Sequence, residues 1–311
     1  MKVFLIALAA VAVLLITAVP GYLLIKKRMI CDECIPGFSK VLVYVCQPCL
    51  AVYTFKSIAY SFDVLRNIGI FALLVTVINA VILLGVFAVL RKKSEKVIYR
   101  IMVIASCFAN CGFFGIPVIE ALLPDVASEL IVYTTVWSTI MNVLAWTVGS
   151  AIISRDTKYI SVKKIVLNPA MISAAAGFLI FVLSIPIQTD FYNMIVITGK
   201  MCTPLSMLIM GMRLAKMNFG SIFTNKRIYA TVALKQFLMP LIGFVGVCFL
   251  PIEPDLKRVF FILCACPVAS IVLNFAEIVG EGQNEAANSV LLSTLLSIIT
   301  LPVMMLLLPL I

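Results

Sequence analysis

Two stretches place polar amides and helix-breaking residues inside runs apolar enough to cross a membrane. "FANCGFFGIPVIEAL" carries Asn110, Gly112, Gly115 and Pro117, and "LCACPVASIVLNFAE" carries Pro267, Ser270 and Asn274. Proline lacks an N–H, so Pro117 should leave the carbonyl of Phe113 without its helical partner, and Pro267 should do the same to Leu263. The two glycines make an unwound turn inexpensive. Irregular backbone persists at membrane depth only where protein or a water-filled cavity satisfies it. An interrupted helix also presents a half-helix N-terminus near the midplane, where unpaired N–H groups and the helix dipole favour an anion. Asn110, Ser270 and Asn274 would supply neutral donors and acceptors there, with Ser270 and Asn274 four apart on one helix face. A kink in an ordinary helix is the plainer use of either proline; two breaks at corresponding places favour a binding site.

Lys200 follows Asp190 by ten residues, about 15 Å along a helix and so near the midplane. An ionisable group at that depth is a functional candidate by default. It would offer a positive charge to a carboxylate; the alternative is a lysine snorkelling to the outer interface. Lys235, nearer the cytoplasmic end of its span, is expected to snorkel.

Other chemistries are excluded by what is missing. The chain has no histidine, which removes Ser-His catalysis and the HExxH zinc site. No two aspartates are placed to face each other inside the bilayer, as an aspartyl protease requires. The Asp and Glu residues fall in loops or near span ends, with Glu120 and Glu277 closest to the interior, so no carboxylate offers itself as a proton relay or sodium ligand. No cofactor or metal is expected, and a coupling sodium ion or proton is not indicated. Most of the ten cysteines lie in apolar segments, where Cys behaves as a small hydrophobe. "CDEC" (Cys31, Cys34) and "CQPC" (Cys46, Cys49) have CxxC spacing, but the second pair sits in an apolar helix, and reduced thiols are expected.

The elements that must position these residues are membrane helices. Of 311 residues 63% are hydrophobic and 12% charged, against about 25% charged in soluble domains, and the mean hydropathy is +1.16. This is the composition of an integral membrane protein. The net charge of +10 sits in short runs such as "IKKRM", "RKKSEK" and "VKK", with no basic face interleaved with aromatics. Such runs orient membrane proteins, and nucleic-acid binding is excluded. The first apolar run carries more positive charge after it (Lys26, Lys27, Arg28) than before it (Lys2), opposite to a signal peptide. It reads as a retained first helix.

Spans of about 20 apolar residues are expected at 3–25, 38–56, 67–90, 99–121, 128–153, 168–186, 190–212, 228–250, 259–279 and 286–309. With the first loop cytoplasmic, seventeen Lys and Arg lie inside, five outside and two within spans, which places both termini outside. "YVCQPC" (44–49) is echoed by "KMCTPL" (200–205), aligning Cys46 with Cys202 and Pro48 with Pro204 at an offset of 156, while Pro117 and Pro267 differ by 150. Five helices per half is an odd number, so the halves must run in opposite senses. That is an inverted-topology repeat, with residues 1–153 and 168–311 joined by a cytoplasmic linker at 154–167.

"FANCGFFGIPVIEAL" resembles the fourth-helix signature of the auxin efflux carrier family, and the block from "CPVASIVLNFAEIVGEGQNEAANSV" onward resembles that family's C-terminus. "YVCQPCL", "NVLAWTVG" and "TPLSMLIMGMRL" are similar to its second, fifth and seventh helices. The resemblance covers nearly the whole chain. It implies an all-α membrane fold in which spans 1, 2, 6 and 7 form a scaffold and spans 3–5 and 8–10 a transport domain, with broken spans four and nine crossing at their prolines. It implies export or exchange of organic anions across the cell membrane by an elevator-type movement. The short link between the halves matches the compact bacterial type. Asn110 and Asn274 match the family's crossover positions. Asn142 falls where its fifth helix lines the site, and Gln47 and Thr203 precede the paired prolines on the scaffold side. Lys200 departs from the family, which more often has a small apolar residue there. Efflux of a monovalent anion by uniport would gain about 2.3 kcal/mol per 100 mV. The alternative is a sodium-coupled symporter of the bile-acid type, with sodium held by backbone carbonyls and asparagines. The expected partners are a small organic anion and the lipid bilayer; a homodimer is left open.

Overall fold

The structure, a computed structural model, describes residues 1–155, 163, 166–216 and 225–311. Along them run α1 (Lys2–Lys26), α2 (Asp32–Lys56), α3 (Phe62–Lys93), a pair α4 (Val97–Ala105) and α5 (Cys111–Leu122), and α6 (Ala127–Ser154). Then follow α7 (Pro169–Val182), α8 (Thr189–Ala215), α9 (Lys226–Cys248), a second pair α10 (Pro254–Ala265) and α11 (Ile271–Val279), and α12 (Gln283–Leu310). Seven of these (α1, α2, α3, α6, α8, α9 and α12) are long and apolar enough to cross a membrane, and no strand occurs among the described residues. The stretches expected to span at 99–121 and 259–279 are each two half-helices with non-helical backbone between them. Most of the expected linker, including Lys158 and Lys164, lies outside the described residues.

Helix α1 shows how an all-apolar segment is oriented. Its buried residues, Ala7, Val11, Leu14, Ala18, Gly21 and Ile25, alternate four and three apart, the spacing of a helix packed along one seam. Leu5, Val13, Ile16, Val19 and Leu23 point outward and are exposed. A helix apolar on every side is stable in this state when lipid covers the outer face.

The seam partner is the second half of α8, and glycine permits the approach. A Cβ added at Gly211 would lie 1.8 Å from the backbone oxygen of Ala18, and one at Gly21 would lie 2.0 Å from that of Leu208. α2 packs in the same way on α7, where a Cβ at Gly177 would lie 2.9 Å from the oxygen of Ala51, and on the first half of α8, where one at Gly199 would lie 2.9 Å from the nitrogen of Leu50. Elsewhere aromatic rings join α3, α6 and α10: Phe71 stacks on Tyr133 at 4.7 Å, and Phe260 lies 5.8 Å from Phe71 and 5.5 Å from Trp137. Arg100, 6% exposed, ties α4 to α6 and to the α11–α12 turn by donating to the carbonyl of Ile153 and pairing with Glu281.

Three of the prolines inside helices are absorbed by widened, π-helical turns. Such turns cover Leu42–Cys46, Cys111–Gly115 and Leu234–Leu238, and each is followed two residues later by Pro48, Pro117 or Pro240. Widening moves the preceding carbonyl away from the proline ring, which would otherwise clash with it.

Gly211→Val should lower stability by roughly 1–3 kcal/mol, since the added atoms meet backbone and not a flexible side chain. The measurement is thermal melting of the purified protein, with Gly246→Ala, where nothing lies within 4 Å of the new Cβ, expected to melt like the wild type.

Candidate functional site

The non-helical backbone between α4 and α5 meets that between α10 and α11. The Asn110 N–H donates to the carbonyl of Pro267 at 2.8 Å, and the Ala269 N–H donates to that of Phe108 at 2.9 Å. Ala109 and Val268 thus form a single antiparallel bridge, with both residues fully buried. The N–H of Val268 is accepted by the Ser293 hydroxyl of α12 at 3.0 Å. Pro267 has no N–H to place, and Cys266 before it adopts the extended conformation that a following proline imposes (φ −60°, ψ 148°). Three N–H groups at the crossing, those of Asn110, Ala269 and Val268, therefore have acceptors on the other strand or on α12, as non-helical backbone in hydrocarbon requires.

α5 and α11 start from this crossing, each with an uncharged polar residue at its head. Asn110 precedes α5 and Ser270 precedes α11, and neither side chain caps its own helix. Asn110, Ser270 and Asn274 make no side-chain hydrogen bond to another described residue. They line a cavity of about 180 Å³ together with Gln47, Asn142, Gly112, Ser138 and Thr139, and Trp146 and Phe275 close part of its wall. Among the described residues, no Asp, Glu, Lys or Arg lines it. The Asn142 amide nitrogen donates to the Ser138 carbonyl at 2.8 Å, leaving its oxygen for the cavity side. Unpaired helix-start N–H groups, free amides and the absence of carboxylates suit a small anion.

The structure brings Asn110, Asn142, Gln47, Ser270 and Asn274 together around one space and leaves Lys200 and Thr203 outside it. Lys200 is exposed, with its ammonium 5.8 Å over the ring of Tyr53. Thr203 lies one turn past the end of α8's first half, and its carbonyl accepts from the Ser206 hydroxyl at 2.8 Å. The helix breaks also need correction. Pro267 stands in the second break as expected, and the freed carbonyl of Leu263 accepts from the Cys266 N–H at 3.3 Å. Pro117, by contrast, follows a π-helical turn inside α5, and the first break lies earlier, at residues 106–110. Gly112 borders the cavity, and a Cβ at Gly115 would lie 2.5 Å from Leu263 Cδ2. These glycines let α5 pack closely; they do not unwind it. Lys235 does not snorkel: it is fully buried, and its ammonium donates to the carbonyl of Cys264 at 2.8 Å.

A larger vestibule of about 1050 Å³ shares Val43, Asn110, Phe113, Ser270 and Asn274 with the cavity and reaches Arg213, Glu277 and the Asp32–Lys216 ion pair at 3.3 Å. One buried guanidinium nitrogen of Arg213 has no hydrogen-bond partner. By sequence Arg213 reads as one more orienting charge at the end of a span. The expected span ends at 212, whereas the helix continues through Arg213 to Ala215, which is why Arg213 stands at the vestibule wall. All ten cysteines are free, the thiols of Cys31 and Cys34 lie 2.7 Å apart, and among the described residues no cluster is arranged to hold a metal.

Residues 6–305 match the membrane transport protein family, the family of the auxin efflux carriers. The match covers nearly the whole chain, which therefore belongs to that family, one of transport and not of enzymes. Among curated proteins nothing matches.

Ser293→Ala should destabilise the protein by about 1–3 kcal/mol, because the buried Val268 N–H loses its acceptor and cannot reach water. Thermal melting checks this, with Ser289→Ala on the same helix as the control: its hydroxyl serves only the carbonyl of Glu285, so the change should be small.

Proposed function

We propose that this member of the membrane transport protein family is a secondary transporter of small organic anions, carboxylates above all, and that it binds them where the two interrupted helices cross. One observation carries the reading: the heads of α5 and α11 meet beside a cavity lined by amides and hydroxyls, with no charged side chain among the described residues. A carboxylate there would accept hydrogen bonds from neutral donors and sit at the positive ends of two helix dipoles. At about 180 Å³ the space is smaller than the roughly 300–1,000 Å³ of drug-sized sites, which favours acids of a few carbons over a large ring system.

Counting each interrupted pair as one crossing and adding α7 gives ten spans, five in each half, in opposite senses. α1, α2, α7 and α8 then form the scaffold, and α3–α6 with α9–α12 form the moving body. The glycine-lined seams of α1 with α8 and of α2 with α7 support a rigid scaffold. The cavity lies between α2 of the scaffold and the crossing of the moving body, so sliding one past the other would carry the anion across in elevator fashion. The basic loops support a vestibule on the cytoplasmic side of the cell membrane, with both termini outside. Arg213 stands at its wall to draw anions inward. With no carboxylate among the described residues of the cavity wall to hold a coupling ion, efflux runs as a uniport driven by the membrane potential.

Binding of short mono- and dicarboxylates to the purified protein should weaken about ten-fold or more in Asn110→Ala and Asn274→Ala, the cost of a hydrogen bond to a charged group. Lys200→Ala should bind like the wild type. In proteoliposomes, carboxylate flux should follow the membrane potential and be indifferent to a sodium gradient, and Arg213→Gln should raise KM while leaving kcat near its wild-type value. Unchanged binding in both asparagine variants would refute the site, and flux that requires sodium would replace the uniport with a symporter of the bile-acid type.

A further inference from the structure

Lys235 is a fully buried lysine with no carboxylate partner among the described residues. It lies in the π-helical turn of α9, and its ammonium reaches the carbonyl of Cys264 at the C-terminal end of α10. That end carries orphan carbonyls and the negative pole of a helix dipole. The neighbouring carbonyls receive only neutral donors: that of Leu263 from the Cys266 N–H and, at 3.7 Å, the Cys111 thiol, and that of Ile262 from the Cys266 thiol at 3.6 Å. Among the described residues, Lys235 therefore supplies the only amine donor at the place where α10 stops.

The other break is backed differently. Position 235 stands 156 residues after Asn79, the same separation that relates Cys46 to Cys202 and Pro48 to Pro204. Asn79, on α3, is also fully buried, and its side-chain oxygen accepts from the Cys107 thiol at 2.9 Å, just past the end of α4. Each break thus has a polar residue from the adjoining long helix behind it, an amide at the first and an amine at the second.

We propose that Lys235 is a tethered counter-cation: it occupies the place at the end of α10 that a free coupling cation would otherwise fill, so the crossing is assembled without sodium or any other small ion. The proposal rests on the transport reading for its consequence, which is that the carrier cycles without ion coupling. A cation held by its own chain cannot dissociate on either side of the membrane, and so cannot link anion movement to an ion gradient. Its removal creates a vacancy: in Lys235→Ala the end of α10 faces a polar hollow that a small free cation can enter. In Lys235→Met the hollow is filled and uncharged.

The test is melting of the purified full chain in choline chloride and in equal concentrations of sodium, ammonium and methylammonium chloride. The wild type should melt at one temperature in all four. Lys235→Ala should melt several degrees lower in choline and recover at least half of that loss, saturably, in one of the small cations. Lys235→Met should melt low in every salt. Should Lys235→Ala yield no folded protein, Lys235→Arg and Lys235→Met decide: the charge-retaining variant melting well above the neutral one supports the proposal. A wild type stabilised saturably by sodium, a Lys235→Met variant as stable as wild type or Lys235→Arg, or a Lys235→Ala variant equally weakened in all salts would overturn it. No arm contains a carboxylate, so this outcome is independent of whether the anion site stands.

Discussion

Backbone amides cannot be left bare in hydrocarbon, and the structure is organised around the one place where two helices leave theirs open. Each unwound segment is too short to satisfy itself. Asn110 gives its N–H to Pro267 and Ala269 gives its own to Phe108, so each break is the other's hydrogen-bonding partner. Neither interruption is tenable alone at that depth. The pairing turns two local defects into a fixed point from which α5 and α11 start, and this brings two helix N-termini to one cavity with no charged side chain among the described residues of its wall.

The charges are kept away from that wall and graded around it. Arg213 and Glu277 stand in the vestibule, Lys200 faces outward beside Tyr53, and Lys235 lies behind the crossing against the carboxyl end of α10. A charged residue inside the cavity would bind an anion tightly and release it slowly. Amides and helix starts give weaker, directional attraction, which suits a carrier that must let go on the far side.

Depth along the chain was legible in the sequence; direction around the helix axis was not. The long apolar runs, the asparagines and Pro267 all fall where spacing and composition place them, because hydropathy and proline chemistry act locally. Lys200 and Lys235 show the limit. Both sit in apolar helices, and only packing decides that Lys235 turns inward to Cys264 while Lys200 turns outward. Pro117 misleads for a related reason: a π-helical turn accommodates its ring inside α5, so the break falls instead at residues 106–110. There the partner strand from Pro267 to Ala269 supplies the missing bonds. That partner is more than 150 residues away in sequence, beyond the reach of any local pattern. Family membership was visible because several short motifs recur in order along the chain; the geometry that unites them is a tertiary fact.

The most direct measurement is an experimental structure of the protein with a selenium-labelled carboxylate, the label located by its anomalous signal. The signal should lie in the cavity at the crossing, with the carboxylate oxygens within hydrogen-bonding distance of the Asn110 and Asn274 amides and the first N–H groups of α5 or α11. A carboxylate bound only elsewhere, or a crossing left empty at saturating concentration, would contradict the account.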